Sequence, residues 1–222
     1  EHVMYGSYQG EPVEWRVLDK KDGEILLLSE YGLDAQPFDT SGKSRVDWKD
    51  STIRKWLNDD FYNSAFSEKE KENIVESKSE GFEEYNTSMN LTGGGKPYAY
   101  LEREIEDKVF LLSNTELCAY FSEDPYPGCY SDPYAHKELL CYPTAYAKQQ
   151  LETRYQTETC GWWLCNHVYE DDSVELVSAY GQGSGTSREN IKANTKSIAV
   201  RPAMWVTWQS DMEMVEANQQ VE

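Results

Sequence analysis

Two aromatic-rich segments in the C-terminal part of the chain constrain the fold most. The first is Gly161-Trp162-Trp163-Leu164-Cys165, and the second spans residues 198–206. Each indole ring has about 150–250 Å² of surface to bury, so an adjacent pair of tryptophans is costly to leave in water. The second segment has the composition of a strand, with Arg201 directly before Pro202. We predict that the two segments are neighbouring core strands and that the residues between them form a functional surface.

The composition argues against several classes of function. The chain has 222 residues, of which 13% are aromatic, and 40 acidic against 21 basic residues give a formal net charge of −19. Affinity for nucleic acid comes mainly from Lys and Arg on phosphates, so we expect no nucleic-acid partner. No apolar run reaches about 20 residues, so we expect no membrane insertion. The chain begins at Glu1 rather than Met, as a mature form does after its targeting segment is removed.

Local patterns predict an N-terminal antiparallel hairpin. Apolar side chains alternate with polar ones at Val13, Trp15 and Val17, which is the period of a strand. Asp22-Gly23 is a typical two-residue hairpin turn. The nearly continuous apolar run at 24–29 follows it, and we expect that strand to be buried on both faces.

Helix signals follow in the first half of the chain. Apolar residues recur at helical spacing, namely at Ile53, Trp56 and Leu57, and Phe61 extends the same face. Ser51 or Asp50 can cap this helix. Ser67 with Glu70 three residues later predicts a capping box at the start of a second, shorter helix.

Further strands are predicted at residues 107–113, 174–180 and 197–206. Strands therefore gather towards the two ends of the chain, with helices in the first half and long loops between them. Segregated helices and strands predict an α+β fold with an antiparallel sheet. We expect a single domain over residues 4–208 and a flexible acidic tail over residues 209–222.

Several segments, taken in order, carry a family resemblance. They include Glu14-Trp15-Arg16, Leu26-Leu27-Leu28-Ser29, Trp48, Ser51-Thr52-Ile53-Arg54, Asp107-Lys108-Val109, Trp162-Trp163-Leu164 and Val200-Arg201-Pro202-Ala203. Together they resemble the DUF6273 family of bacterial proteins of unknown function, over about residues 4–206. That resemblance implies an extracellular part of a bacterial surface protein, sometimes behind a membrane anchor.

The double tryptophan and the closing Arg201-Pro202-Ala203 are also similar, more distantly, to the C-type-lectin-like fold. That fold includes the formylglycine-generating and sulfatase-modifying group and the variable receptors of diversity-generating retroelements. The resemblance implies N- and C-terminal strands side by side, two flanking helices, and a long loop region that carries function. At Cys165 the chain departs from the family pattern, which usually has Arg after Trp-Trp-Leu, so the function of that arginine is not carried over.

The cysteine residues leave two alternatives open, a redox centre and a disulfide. The five residues are Cys118, Cys129, Cys141, Cys160 and Cys165, too few for a disulfide scaffold and odd in number. A nearby cysteine pair holds copper in formylglycine-generating enzymes. The resemblance therefore implies, as one alternative, an oxidase that uses Cys160 and Cys165. A disulfide among the five, in a secreted chain, is the alternative that we favour over a redox centre.

The candidate ligand-binding residues are Trp163, Asn166, His167 and Arg201. On a strand, Trp162 and Trp163 face opposite sides, so one ring can stack on a sugar or peptide; the alternative is that both lie in the core. Asn166 and His167 follow the tryptophan strand, where a ligand would lie. Arg201 is either a ligand clamp or a buried, paired arginine. We assign no catalytic residue, cofactor or metal ligand.

Together with the location that the DUF6273 resemblance implies, these observations predict an extracellular or cell-surface module that binds a glycan or protein and is not an enzyme. The first alternative is a sulfatase-modifying-type oxidase with a cysteine pair, and the second is a structural ectodomain of a larger surface protein. The acidic run Glu170-Asp171-Asp172 lacks the spacing of an EF-hand and is more typical of a solvated surface than of a Ca²⁺ site.

Overall fold

A computed structural model describes residues 1–43, 46–78, 105–121, 137–152, 158–167, 174–182, 193–210 and 212–215. Its strands are β1 (His2–Tyr8), β2 (Glu11–Lys21), β3 (Glu24–Ser29), β4 (Ile74–Val75), β5 (Trp162–His167), β6 (Val174–Val177), β7 (Ala203–Thr207) and β8 (Met214–Val215). Six of them form one sheet in the order β4-β7-β3-β2-β1-β8, in which every pairing is antiparallel. The predicted α+β class with an antiparallel sheet is confirmed.

Two tight turns connect the first three strands. Gln9 and Gly10 have φ angles of 52° and 85°, and Asp22 and Gly23 have 52° and 84°. Positive φ at both central positions is the backbone of the hairpin turn that matches the twist of the flanking strands. The Asp22-Gly23 turn is therefore confirmed. On β2, Trp15 is 0% exposed.

The apolar run in β3 lies at the centre of the sheet, between β2 and β7. Its four aliphatic side chains are all buried, at Ile25, Leu26, Leu27 and Leu28. Successive side chains of a strand point to opposite faces, so both faces of the sheet are covered here. This confirms the prediction that the strand is buried on both sides.

The C-terminal segment differs from the expected flexible tail. Val215 in β8 pairs with His2 in β1, and the Met4 N–H donates to the Glu213 carbonyl at 3.0 Å. An edge strand presents unpaired backbone groups, and β8 satisfies those of β1. The tail prediction is thus wrong for residues 214–215.

Five short helices occur in the described ranges: α1 (Thr52–Trp56), α2 (Tyr62–Ala65), α3 (Glu68–Lys71), α4 (Asn114–Phe121) and α5 (Ala145–Gln150). A π-helical turn, Leu57–Phe61, joins α1 to α2, and 3-10 turns occupy Trp48–Asp50 and Lys137–Leu139. The Ser51 hydroxyl accepts the Arg54 N–H at 3.3 Å, and Ser67 with Glu70 forms a capping box. Both predicted caps are confirmed.

Residues 107–113 do not form the predicted strand, and isolated bridges join Asp107 to Ser77 and Phe110 to Ala203 of β7. The side chain of Asn58 takes the place of a partner strand. Its amide nitrogen donates to the Val109 carbonyl at 2.8 Å, and its oxygen accepts the N–H groups of Lys108 and Val109 at 3.0 and 3.1 Å. At Lys108 and Val109 the backbone is therefore satisfied by a helix side chain rather than by a ladder.

The tryptophan strand β5 pairs with β6 in a separate two-stranded ribbon. It contacts the C-terminal segment through one parallel bridge between Trp162 and Ala199, where the Trp163 N–H donates to the Ala199 carbonyl at 3.2 Å. The two segments are neighbours, as predicted, but do not lie in one sheet. Pro202 has no N–H to donate, and β7 begins only after it, at Ala203.

Within the described ranges, no helix combines the length and the apolar composition needed to cross a bilayer. Some expectations concern residues outside those ranges. They include the acidic run 170–172, most of the loop between Asn166 and Lys196, the glycine-rich turn beyond Gln182, and Cys129.

Candidate functional site

The tryptophan pair is buried in the core. Trp162 and Trp163 are both 0% exposed. The indole N–H of Trp162 donates to the Leu139 carbonyl at 3.1 Å, and that of Trp163 donates to the Gln36 carbonyl at 3.0 Å. Phe38 packs edge-on against Trp163, with ring centroids 6.0 Å apart. Both rings thus lie in the core, as the second of the two alternatives predicted.

Arg201 lies fully buried beneath Trp162. Its Nε donates to the Ser29 carbonyl at 2.7 Å, its Nη2 lies 3.8 Å from Glu30 Oε2, and its guanidinium carbon lies 5.0 Å from the Trp162 ring centroid. Burial lowers the pKa of Arg201. Among the described residues, neither Nη1 nor Nη2 has a hydrogen-bond partner. Arg201 is therefore a buried arginine with a distant ion-pair partner, and not a surface clamp.

Asn166, on β5, belongs to a buried polar network with Asn114 and Glu175. Its side-chain oxygen accepts the Asn114 N–H at 2.7 Å, and the Asn114 amide donates to Glu175 Oε2 at 2.9 Å. Burial raises the pKa of Glu175 to about 7, against a smaller lowering by the Asn114 bond. His167 ends β5 opposite Val174, and its side chain lies outside the described part. The structure does not gather Trp163, Asn166 and Arg201 on one surface.

The two cysteines of the oxidase alternative have different neighbours. Cys160 Sγ lies 3.5 Å from the carbonyl oxygen of Cys141, whereas Cys165 Sγ lies 3.9 Å from Asn166 Oδ1. Within the described ranges, no group of three or more His, Cys, Asp or Glu side chains is placed to hold a metal ion.

A different set of aromatic residues reaches the surface. Tyr8, Trp56 and Tyr146 are half-buried, and we call these three residues the aromatic surface cluster. The Tyr8 ring centroid lies 6.4 Å from that of Trp56 and 6.0 Å from that of Tyr146, edge-to-face in both cases. The buried ring of Phe61 lies 5.0 Å from Tyr8 and 5.6 Å from Trp56. Contacts of this geometry are favourable, so the rings hold one another in position.

A buried carboxylate anchors the aromatic surface cluster. Asp34 is 1% exposed; its Oδ2 accepts the Tyr8 hydroxyl at 2.5 Å, and its Oδ1 accepts the Ala35 N–H at 2.7 Å. Burial, followed by the bond to Asp34, raises the pKa of Tyr8, so this hydroxyl remains a donor at neutral pH. Burial and the charge of Asp34 also raise the pKa of Tyr146.

The π-helical turn brings two of these rings together. Trp56 ends α1, and Phe61 ends the π turn five residues later. Residues five apart on an α-helix point about 140° away from each other, whereas the wider π turn brings them close to the same face. The irregular turn therefore positions the Trp56 ring over Phe61, beside Tyr8.

The loop before α5 positions Tyr146. The Gly32 N–H donates to the Tyr142 carbonyl at 3.0 Å, and the Thr144 N–H donates back to the Gly32 carbonyl at 2.9 Å. Thr144 then caps α5 by accepting the Ala147 N–H at 3.1 Å. Because Gly32 lies two residues before Asp34, the first turn of α5 carries Tyr146 close to the carboxylate.

A family model for DUF6273, a domain of unknown function, matches residues 22–208. The chain belongs to the DUF6273 family. The DUF6273 match includes Trp56 and Tyr146 but begins after Tyr8. No curated protein and no solved structure matches the chain.

Sequence reasoning missed the aromatic surface cluster. It assigned Trp56 to the apolar helix face that packs on the core, and 16 tyrosines gave no basis for choosing two. The available signal was the closely spaced pair of aromatic residues at 56 and 61, whose common orientation depends on a π turn that local sequence does not specify.

Proposed function

We propose that this DUF6273 domain is a non-enzymatic binding module that recognises a neutral glycan at the aromatic surface cluster. The observation that carries the proposal is the set of half-buried rings of Tyr8, Trp56 and Tyr146, fixed over the buried carboxylate of Asp34. Aromatic rings with polar tips serve at interfaces because one end is apolar and the other forms hydrogen bonds. A sugar ring, with apolar C–H faces and hydroxyl edges, complements such a surface.

The net negative charge of the chain favours a ligand that is not itself an anion. The net charge of −19 repels anionic glycans over the whole surface, and Asp34 adds a negative charge close to the tyrosine hydroxyls. The hydroxyl of Tyr146 can donate to and accept from sugar hydroxyls. Uncharged oligosaccharides therefore fit better than sulfated or sialylated ones.

The π-helical turn gives independent support. Such turns are rare and occur frequently at functional sites. Here the structural consequence of the turn is the placement of Trp56 against Phe61 and Tyr8, at ring-centroid distances of 5.6 and 6.4 Å.

We also propose a C-type-lectin-like arrangement and a location at the bacterial cell surface. The pairing of β8 with β1 and of β7 with β3, which brings both ends of the chain into one sheet, supports the arrangement. The location rests on the family resemblance alone.

Two alternatives remain as competing proposals. An oxidase that uses Cys160 and Cys165 has weaker support, because the two thiols contact different residues, Cys141 and Asn166. A purely structural ectodomain predicts no ligand at all.

An array of neutral, sialylated and sulfated glycans separates these proposals. We expect the natural chain to bind a subset of neutral glycans, and Tyr146→Ala to weaken that binding about tenfold or more, as removal of a central aromatic contact does. Tyr146 suits this test because it lies on the first turn of α5, outside the core. Trp208→Ala is the matched control, since Trp208 is an aromatic residue that is 38% exposed and lies outside the cluster.

Absence of binding to every glycan on the array contradicts the proposal and supports the structural ectodomain. Binding that is confined to anionic glycans, or that survives Tyr146→Ala and is lost in Trp208→Ala, contradicts the assigned ligand class or the assigned surface.

A further inference from the structure

Cys141 and Cys160 share one buried position beside Gly32. They are 1% and 5% exposed. The Cys160 N–H donates to the Cys141 carbonyl at 2.8 Å. A Cβ atom added at Gly32 would lie 3.3 Å from Cys160 Sγ and 3.5 Å from Cys141 Sγ. Both sulfurs therefore point into the space that Gly32 leaves open.

Each of the two thiols influences the pKa of the other. Burial raises the pKa of Cys141, but the hydrogen bond from Cys160 and the positive charge of Arg201 outweigh this effect, so the pKa of Cys141 lies below its ordinary value. The same hydrogen bond, followed by burial, raises the pKa of Cys160. The Cys160 thiol donates to the Cys141 carbonyl at 3.5 Å, and the Cys141 thiol donates to the Tyr142 carbonyl at 3.8 Å.

We propose that Cys141 and Cys160 form a disulfide when the chain folds in an oxidising compartment. A direct backbone hydrogen bond brings their Cα atoms into the range that a disulfide spans, and both side chains point to the same space. The cross-link closes a segment of roughly 20 residues. That segment contains α5, so the disulfide fastens the helix that carries Tyr146 to the start of β5.

The reaction is a thiol–disulfide exchange with a low-molecular-weight disulfide, such as oxidised glutathione. The thiolate of one cysteine attacks the glutathione disulfide, forms a mixed disulfide and releases one glutathione thiol. The thiolate of the other cysteine then attacks the protein-bound sulfur and releases the second glutathione thiol. Two cysteine thiols are oxidised, each loses a proton, and one glutathione disulfide is reduced to two thiols.

The full chain tests this proposal after reduction, denaturation and refolding in reduced and oxidised glutathione. Alkylation and chymotryptic digestion, which cuts at the tryptophans between Cys160 and Cys165, allow non-reducing mass spectrometry to assign the bond. We expect a linked peptide that contains Cys141 and Cys160. We also expect the oxidised chain to melt roughly 5–10 °C above the reduced chain, as a disulfide that closes a loop of this length predicts.

Two variants keep the test independent of effects on packing. Cys141→Ala should abolish the difference in melting temperature between the oxidised and reduced forms, whereas Cys165→Ala, also at a buried site, should retain it. Recovery of Cys141 and Cys160 in alkylated form after refolding, or of either one linked to another cysteine, overturns the proposal. No glycan is present in these measurements, so their outcome is independent of the proposed ligand.

Discussion

At the scale of single residues, three of the side chains that the sequence nominates for binding, those of Trp163, Asn166 and Arg201, are buried inside the molecule. Arg201 is the clearest case, since its Nε donates to the Ser29 carbonyl at 2.7 Å and the residue is 0% exposed. Glu30, its ion-pair partner at 3.8 Å, also receives two hydrogen bonds from Arg16 at 2.8 and 2.9 Å. A sequence shows that an arginine precedes a proline, but it does not show on which side of the chain the core lies.

Glu175 gives the stability of the domain a pH dependence near neutrality. Burial raises its pKa to about 7 from an ordinary value of 4.5. Because the folded state then binds the proton more tightly than the unfolded state, this stabilisation is complete below pH 4.5 and is lost as the pH rises through about 7. The loss between these limits is on the order of 3 kcal/mol. We expect Glu175→Gln to remove this part of the pH dependence.

Urea unfolding at about pH 5 and about pH 8 measures the effect. The stability of the natural chain should fall relative to that of Glu175→Gln between the two conditions. Glu138→Gln, at an exposed position, is the control and should behave as the natural chain does. An identical pH dependence in Glu175→Gln and the natural chain would show that Glu175 does not titrate in this range.

At the scale of elements, a β-bulge in β1 is hydrogen-bonded to α3. The register of the β1–β2 pairing shifts between Met4 and Ser7, and Gly6 in the bulge has a φ angle of 69°. The Gly6 N–H donates to Glu70 Oε1 at 3.0 Å. Glu70 also completes the capping box of α3, so one carboxylate links the strand to the start of the helix.

Replacement of Gly6 tests this connection. A Cβ atom there would lie 2.6 Å from the Ala65 carbonyl oxygen and 2.7 Å from the Phe66 ring, so Gly6→Ala combines an unfavourable φ angle with a clash. We expect a loss of about 2–4 kcal/mol in the free energy of unfolding. Gly23→Ala is the matched control, because Gly23 has a φ angle of 84° with nothing within 4 Å, and only about 1 kcal/mol is expected.

Urea unfolding of the two variants gives the comparison directly. Equal losses in Gly6→Ala and Gly23→Ala would mean that the backbone conformation alone sets the cost. The close approach of β1 to residues 65–66 would then contribute nothing to stability.

At the scale of the whole molecule, the sequence predicts what is local and misses what depends on distant contacts. The turn at Asp22-Gly23, the capping box at Ser67 and the buried run in β3 have short-range signals, and all are confirmed. The separation of β5 and β6 from the main sheet, and the pairing of β8 with β1, depend on which distant strands meet. No local pattern encodes those choices.

The proposed site is the extreme case of such dependence on distant contacts. The aromatic surface cluster takes one residue from β1, one from α1 and one from α5, and its carboxylate comes from a fourth segment. Each residue alone is typical of an ordinary core or surface position. Only the fold brings Tyr8, Trp56 and Tyr146 together, so the sequence directed attention to the tryptophan pair of β5 instead.

If the aromatic surface cluster binds the glycan, Trp56, and not the buried pair in β5, contacts the ligand. Fluorine NMR of the chain labelled with 5-fluorotryptophan tests it most directly, with each resonance assigned by a Trp→Phe variant and the titrant taken from the neutral glycans that the array identifies. We expect the resonance of Trp56 to shift on titration, while those of Trp163 and the exposed Trp208 stay unchanged. A shift confined to Trp163, with Trp56 unchanged, would show that the ligand binds elsewhere than at the aromatic surface cluster.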